Sequence, residues 1–303
     1  MTSGADALTQ IPQGVELPMG PSTMSVIESL WHSFPLSYDW NPQRIALRDQ
    51  RRMYRLQRFG GFAVLRCPAA DGASSISLLW GRGGREDLFA AMTGRAILRA
   101  DRDTADHAVS IGAEWGVTTF PARNFDEYLY DLTEQTELLG KQFGRRRTYL
   151  RALERSAGSI EFAQLDLNSA EDVRAVLKVQ ANWESRHDRE ASVSDERKSL
   201  DSLLDGGAAM ATTQASGLRI EGELVGFAVY DLLTESVATA HFVKAPSGSA
   251  EVAGTWQALF ISAHRAGATL VNGGYDGGLQ GLRSAKSGLR PHEMREAFFV
   301  LMS

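Results

Sequence analysis

Apolar positions recur along the chain at two periods, and the alternation of those periods predicts a mixed α+β protein. Val26, Ile27, Leu30 and Trp31 lie near helical spacing and predict a helix over 24–34. Leu88, Phe89, Met92, Ile97 and Leu98 predict another over 85–98, and a third amphipathic stretch covers 125–139. Short apolar runs at 61–66, 75–80 and 107–112 read as strands. The second half repeats this layout with clearer punctuation. A strand over 160–167 ends at Asn168-Ser169, an N-cap signal followed by Glu171 and Asp172 in the first turn of a helix that runs to about His187. The charged stretch 188–198 reads as a loop, and a short helix after it ends in Asp205-Gly206-Gly207. Strands follow at 208–214, 217–220, 224–232 and 236–243, with Glu221-Gly222 as a turn. A loop over 244–253, a helix over 254–266 and a strand over 269–272 come next. A Gly-rich turn, a short helix stopped at Pro291 and a closing strand over 297–302 complete the chain.

The order strand–turn–strand–strand–loop–helix–strand is that of an N-acetyltransferase-like domain. In that fold the fourth strand splays from the fifth, and the acyl donor lies in the gap over the N-terminus of the following helix. A chain of 303 residues has room for two such halves. The expected architecture is α+β, a tandem GNAT-like (acyl-CoA N-acyltransferase) fold of mixed sheets flanked by helices. It divides into a flexible leader over 1–23, an N-terminal domain over 24–158 ending in a basic linker helix, and a C-terminal domain over 159–303 carrying the active cleft.

Composition then narrows the function. Hydrophobic residues make up 43% and charged residues 23%, a globular balance. No apolar stretch approaches the roughly 18–20 residues of a membrane-spanning helix. The first residues lack the basic start and apolar core of a secretory signal. Cys67 is the single cysteine, which removes an intramolecular disulfide and a thiolate-rich zinc site. Its setting, Phe62-Ala63-Val64-Leu65-Arg66-Cys67, reads as core strand. These features predict a soluble cytoplasmic protein with no metal and no cofactor. The net charge of −5 argues against a general nucleic-acid coat, and no DNA partner is expected. Within 141–155, however, Lys141, Arg145, Arg146, Arg147, Arg151 and Arg155 face only Glu154, a patch suited to one defined polyanion.

Four constellations could carry chemistry. On a helix, Arg147, Arg151 and Arg155 share a face, and guanidinium forks suit phosphates, although a solvated helix face has the same pattern. Trp183-Glu184, followed by Arg186 and His187, could offer a carboxylate to a substrate amine, whereas a histidine at a helix end is ordinarily a surface residue. His241-Phe242-Val243-Lys244 ends the strand expected to splay, and Lys244 is placed to meet an anionic donor. The loop after it has glycines but no Arg or Gln in the usual first position, and it contains Glu251, a poor cradle for the pyrophosphate of coenzyme A. Finally, the turn Gly273-Gly274-Tyr275-Asp276-Gly277-Gly278 precedes a helix bearing Arg283 and Lys286 three residues apart. A carboxylate and two cations could hold both ends of an aminoacyl group on a phosphate-bearing carrier. A plain turn with a surface helix fits the same residues.

The run over 278–291 (Gly-Leu-Gln-Gly-Leu-Arg-Ser-Ala-Lys-Ser-Gly-Leu-Arg-Pro), preceded by Asn272 and Asp276, resembles the signature of the phosphatidylglycerol lysyltransferase C-terminal domain family. Tyr130-Asp131 with the basic run from Leu139 to Arg147 is similar to that family's inter-domain element. Trp183-Glu184, the 218–227 segment and His241 to Ala245 fall in its order and spacing, so the resemblance covers roughly 105–300. It implies a tandem GNAT fold that passes an aminoacyl group from an aminoacyl-tRNA to an amine or hydroxyl acceptor. Lys141, Arg145, Arg146, Arg147 and Arg151 would hold the tRNA, and Asp276 would pair with the aminoacyl ammonium. Arg283 and Lys286 would meet phosphates or the acceptor, with Trp183, Lys244 and Tyr275 in the substrate site and Glu184 or His241 as base. The chain lacks the multi-helix N-terminal region of the membrane members, which favours a soluble small molecule, such as a natural-product intermediate, over a lipid acceptor. Gly277-Gly278 stands where Asp-Leu-Gly is usual, so the amino acid stays open. The alternatives are an acyl-CoA-dependent N-acyltransferase and a non-catalytic module that binds tRNA or protein.

Overall fold

A computed structural model of the chain describes residues 8–33, 38–48, 54–67, 76–94, 97–156, 158–186, 191–205, 212–232, 234, 236–246 and 248–302. His187 lies outside the described residues. The chain begins with β1 (Leu17–Pro18), α1 (Pro21–Ser33), α2 (Pro42–Arg48), β2 (Arg55–Phe59), β3 (Phe62–Cys67) and β4 (Ile76–Gly81). Then come α3 (Arg85–Met92), β5 (Ile97–Asp101), α4 (Arg102–Gly112), β6 (Val117–Pro121), β7 (Glu127–Asp131), α5 (Leu132–Glu137) and α6 (Gly144–Ser156). The next elements are β8 (Ile160–Leu165), α7 (Ala170–Glu184), α8 (Ala191–Leu204), β9 (Thr213–Ile220), β10 (Glu223–Asp231) and β11 (Val237–Lys244). The last are α9 (Ser249–Arg265), β12 (Leu270–Asn272), α10 (Gln280–Gly288), β13 (Glu293–Arg295) and β14 (Ala297–Met302).

These elements form two sheets, in the orders β1-β2-β3-β4-β5-β14-β6 and β13-β7-β12-β11-β10-β9-β8. The chain divides into two compact units. The first takes the residues up to Glu127, Tyr275–Gly278 and those from Arg295 onward; the second takes Tyr128–Gly274 and Leu279–Met294. In the first unit β2, β3 and β4 pair antiparallel in succession, and β5 returns parallel to β4 through only two residue pairs, Ser77↔Leu98 and Leu78↔Arg99. In the second, β8 to β11 form the antiparallel series, and β12 lies parallel to β11 only from Val237↔Leu270 to Thr239↔Asn272. β11 runs on to Lys244, so its ladder with β12 opens after Thr239. Each parted pair is followed in its sheet by a strand from elsewhere in the sequence. β14 lies antiparallel between β5 and β6, and β7 lies antiparallel to β12. This is the α+β, tandem GNAT-like architecture expected from the sequence.

Local chemistry explains the elements that differ from expectation. Residues 107–112 are not a strand but the end of α4. Asp101 caps that helix by accepting the Thr104 N–H at 2.8 Å, and the buried Ala105 and Ala108 repeat at three residues. The helix expected over 85–98 stops at Met92, and Gly94, at φ +73°, turns the chain before β5. The 125–139 stretch divides at Asp131. Tyr128, Leu129 and Tyr130 are buried on both faces of β7, and the Asp131 side chain accepts the Glu134 N–H to start α5. Residues from 191 onward in the charged stretch belong to α8 rather than to a loop. The leader is folded from Leu8 onward: Leu8 and Ile11 are buried, and β1 pairs with β2. The boundary also moves. The basic helix α6 packs in the second unit, so tightly against α9 that a methyl at Gly254 would lie 2.9 Å from Leu153 Cδ1. The core of the second unit gathers Tyr128, Tyr130, Tyr230, Trp256, Phe260 and Val271.

Candidate functional site

In the second unit the open end of β11 carries Lys244, whose side chain is mostly buried. Its ammonium lies 3.6 Å from the centroid of the Trp183 ring and is ion-paired with Glu196 of α8 at 2.5 Å. Trp183 and Glu184 end α7. The Glu184 carboxylate accepts from Gln180 Nε2 at 2.9 Å and from Arg197 Nη1 at 3.3 Å, and Arg197 also holds Asp201 at 2.8 Å. Three elements thus bring an indole, an ammonium, three carboxylates and a guanidinium together beside the parted β11. Lys244, Trp183 and Glu184 were expected here. Glu196 and Arg197 were missed because their segment has the composition of a loop, although the Arg197–Asp201 spacing is an i,i+4 helical pair.

The N-terminus of α9 follows directly. Gly248 is its N-cap residue, and Glu251 folds back over it, so that a methyl on Gly248 would lie 1.8 Å from Glu251 Oε2. The chain's own carboxylate therefore occupies the positive end of the helix.

His241 is placed otherwise than expected for a base. Its side chain is 1% exposed, and Nε2 is hydrogen-bonded to Asp231 Oδ2 at 2.5 Å. This His–Asp pair is enclosed within the sheet. Lys286 is also turned inward: its ammonium donates to the Gly273 carbonyl at 2.6 Å near the Tyr128 ring, and its own carbonyl accepts from Tyr130 Oη. It does not share an exposed face with Arg283, which is partly exposed on α10.

The basic helix separates into two populations. Lys141, Arg145 and Arg151 are exposed, and Arg145 donates to Tyr149 Oη at 2.7 Å, a contact that lowers the phenol's pKa. Arg147 is partly buried and caps α5 through the carbonyls of Leu138 and Gly140. Arg146 is a correction to the surface reading. It is 5% exposed, donates to Gln135 and to Gln257 Oε1 (the latter at 2.6 Å), and lies over the Phe260 ring. Burial lowers its pKa to about 9, so it stays charged at neutral pH inside the core.

In the first unit the turn residues are structural. Asp276 is fully buried, accepts the Gly278 N–H at 2.9 Å and pairs with Arg123 at 3.3 Å. Its oxygens hold the Gly-rich turn, in place of the ligand ammonium expected there. Tyr275 Oη accepts from Arg44 at 2.8 Å and donates to Asp39 at 3.2 Å, with Phe125 and Tyr38 edge-on to its ring. Asp39 bridges Arg44 and Arg99, and Arg99 stacks 4.1 Å over Phe125. None of Asp39, Arg44 or Arg99 was expected as a site residue. The available signal was a charge inside an apolar strand, Leu98-Arg99-Ala100. Among the described residues no group of His, Cys, Asp and Glu could hold a metal ion, and no helix is long and apolar enough to cross a membrane.

Comparison with known proteins adds the relatives. Residues 87–301 match the family described as phosphatidylglycerol lysyltransferase, C-terminal. A conserved protein of unknown function from Bacteroides thetaiotaomicron superposes with a TM-score of 0.75 at 17% identity, covering 96% of this chain and 100% of that one. The C-terminal domain of a putative lysylphosphatidylglycerol synthetase from Agrobacterium fabrum gives 0.58 at 16%, covering 88% and 87%. FemX gives 0.56 at 10%, covering 95% and 97%. At these identities the shared property is the fold. No curated protein matches the sequence.

Proposed function

The chain belongs to the phosphatidylglycerol lysyltransferase C-terminal family, and from that premise we propose that it is an aminoacyltransferase that takes its aminoacyl group from an aminoacyl-tRNA. The observation that carries the choice of donor is Glu251 over Gly248. In an acyltransferase of this fold, the helix after the parted strand would receive the pyrophosphate of coenzyme A at its N-terminus. Here that end already holds a carboxylate, which repels a second anion. A polyanion is better served by the exposed Lys141, Arg145 and Arg151 around α6.

The ester of an aminoacyl-tRNA is already activated, so the enzyme's work is positioning and charge stabilisation. An acceptor amine or hydroxyl attacks the ester carbonyl. The bond to the terminal ribose oxygen breaks, and the ribose hydroxyl leaves with the acceptor's proton. In this reading Lys244 stabilises the oxyanion from the open edge of β11, Trp183 fixes its direction, and Glu184 orients the acceptor. Arg283 approaches the carrier phosphates. The acceptor is a small molecule bearing an amine or hydroxyl, or a lipid hydroxyl. Incubation with radiolabelled aminoacyl-tRNA and candidate acceptors tests the reading. Lys244→Met should lower transfer about a hundredfold or more, the scale of a lost oxyanion donor. Full activity in that variant would remove Lys244 from the mechanism.

A further inference from the structure

The second unit holds a cavity of about 340 Å³ at the end of α9 remote from Gly248, among residues that the transferase reading does not use. It opens between the C-terminal half of the helix and the edge of the sheet, where β8 is the last strand. Strand alternation brings Phe162 and Gln164 of β8, Gln214 of β9 and Tyr230 of β10 to one face, with Tyr230 paired opposite Gln214. Ile261, Ser262 and Arg265 of α9 meet them at helical spacing. The polar atoms form one directed chain. Tyr230 is buried, which raises the pKa of its phenol and keeps the proton in place. A buried hydroxyl must place its hydrogen on an acceptor within reach, and Ser262 Oγ lies 2.8 Å away. Ser262 in turn donates to Gln164 Oε1 at 2.5 Å, and Gln164 Nε2 donates to Gln214 Oε1 at 3.1 Å. The chain therefore ends on an amide nitrogen, Gln214 Nε2, which makes no hydrogen bond among the described residues.

The rest of the lining matches that donor end. Arg265 is exposed at the rim and has no ion pair among the described residues, and no described Asp or Glu lines the cavity. The carbonyls of Ser262, Ala263 and His264 accept the N–H groups of Ala266, Ala268 and Gly267, so the negative end of α9 is closed. Phe162 and Ile261, both partly exposed, supply apolar wall. One guanidinium fork beside a neutral amide donor fits a planar carboxylate, whereas a phosphate dianion would be left half neutralised. We propose that this cavity binds a small organic carboxylate, its head on Arg265 and the Gln214 amide and its apolar body against Phe162 and Ile261. The claim does not depend on the transferase reading, and its test contains no transfer step.

The test is calorimetric titration of the full chain with benzoate and with octanoate, an aromatic and a linear member of the class. Acetate, inorganic phosphate and the two matching amides, benzamide and octanamide, serve as comparisons. At least one of the two carboxylates should bind. Acetate lacks the apolar body and the amides lack the charge, so each should bind about tenfold or more weakly. Arg265→Ala and Gln164→Glu change exposed side chains and should keep the wild-type melting temperature. The first removes the cation. The second still accepts from Ser262 but puts a negative charge where an amide nitrogen stood. Each should weaken binding about ten- to a hundredfold, the effect of one lost charge-assisted contact. The proposal is overturned if neither carboxylate binds, if phosphate or the matching amide binds as well, or if either variant binds like wild type.

Discussion

Arg145 stands exposed against Tyr149, while Arg146, the next residue, is sealed between Gln135, Gln257 and Phe260. Their substitutions should separate cleanly. Arg146→Ala leaves two buried amide oxygens unsatisfied and a void, and should cost about 3 kcal/mol in a urea titration. Arg145→Ala and Arg151→Ala should each change stability by less than about 0.5 kcal/mol. Together they should weaken tRNA binding and flatten its salt dependence by about two released counterions, read from binding across a salt series. If Arg146→Ala is neutral to stability, the guanidinium is not the core member described here. The sequence could not separate these arginines. Both lie in one uninterrupted basic run, and what distinguishes them is Gln257, more than a hundred residues away. The same holds for Asp276 and Lys286, whose types and spacing suit a ligand but whose heads are spent on a turn and on the Gly273 carbonyl.

Among elements, the seating of α9 on β10 positions Lys244, because Gly226 lies directly beneath the helix. A methyl there would sit 2.0 Å from Thr255 Oγ1 and 3.2 Å from the Lys244 carbonyl. Gly226→Ala should force the helix outward and cost about 1–3 kcal/mol, measured by thermal or urea unfolding. It should also lower transfer activity, whereas Gly222→Ala at the solvent-facing hairpin tip, with φ +82°, should cost stability alone. Equal activity losses in the two variants would contradict the role given to the α9–β10 contact. The strands expected at 208–214 and 217–220 gave way to one strand, β9 (Thr213–Ile220), and α9 begins at Ser249, inside the expected loop. The antiparallel pairing about the Glu221-Gly222 turn, the body of α9 and the closing strand were legible because their periods are clean. β7 was not, since its buried run Tyr128-Leu129-Tyr130 has no polar face to show a period of two. α4 was misread because His107 to Gly112 offers too few large apolar residues to distinguish the two periods.

At the scale of the molecule, two units of one pattern each part a parallel strand pair, and each completes its sheet with a strand remote in sequence. Tandem architecture was readable from the repeated order of elements. The exchange of β7 and β14 was not, because sequence order carries no sign of which sheet a lone strand joins. The two units differ in chemistry beside their parted strands: in the second a lysine lies on an indole near a helix end closed by Glu251, and in the first Asp39 joins the buried Arg44 and Arg99. Calorimetry with acetyl-CoA should therefore show no binding to the wild-type chain. Micromolar binding would return the donor to coenzyme A. The central claim meets its most direct test in transfer itself. Each labelled aminoacyl-tRNA, prepared from total tRNA, is incubated with the full chain and a fraction of small molecules and lipids. The account predicts that label from at least one species moves into a product that is neither tRNA nor free amino acid, and that Arg145→Ala with Arg151→Ala reduces this about tenfold or more. Release of every label only at the rate of spontaneous hydrolysis would contradict it.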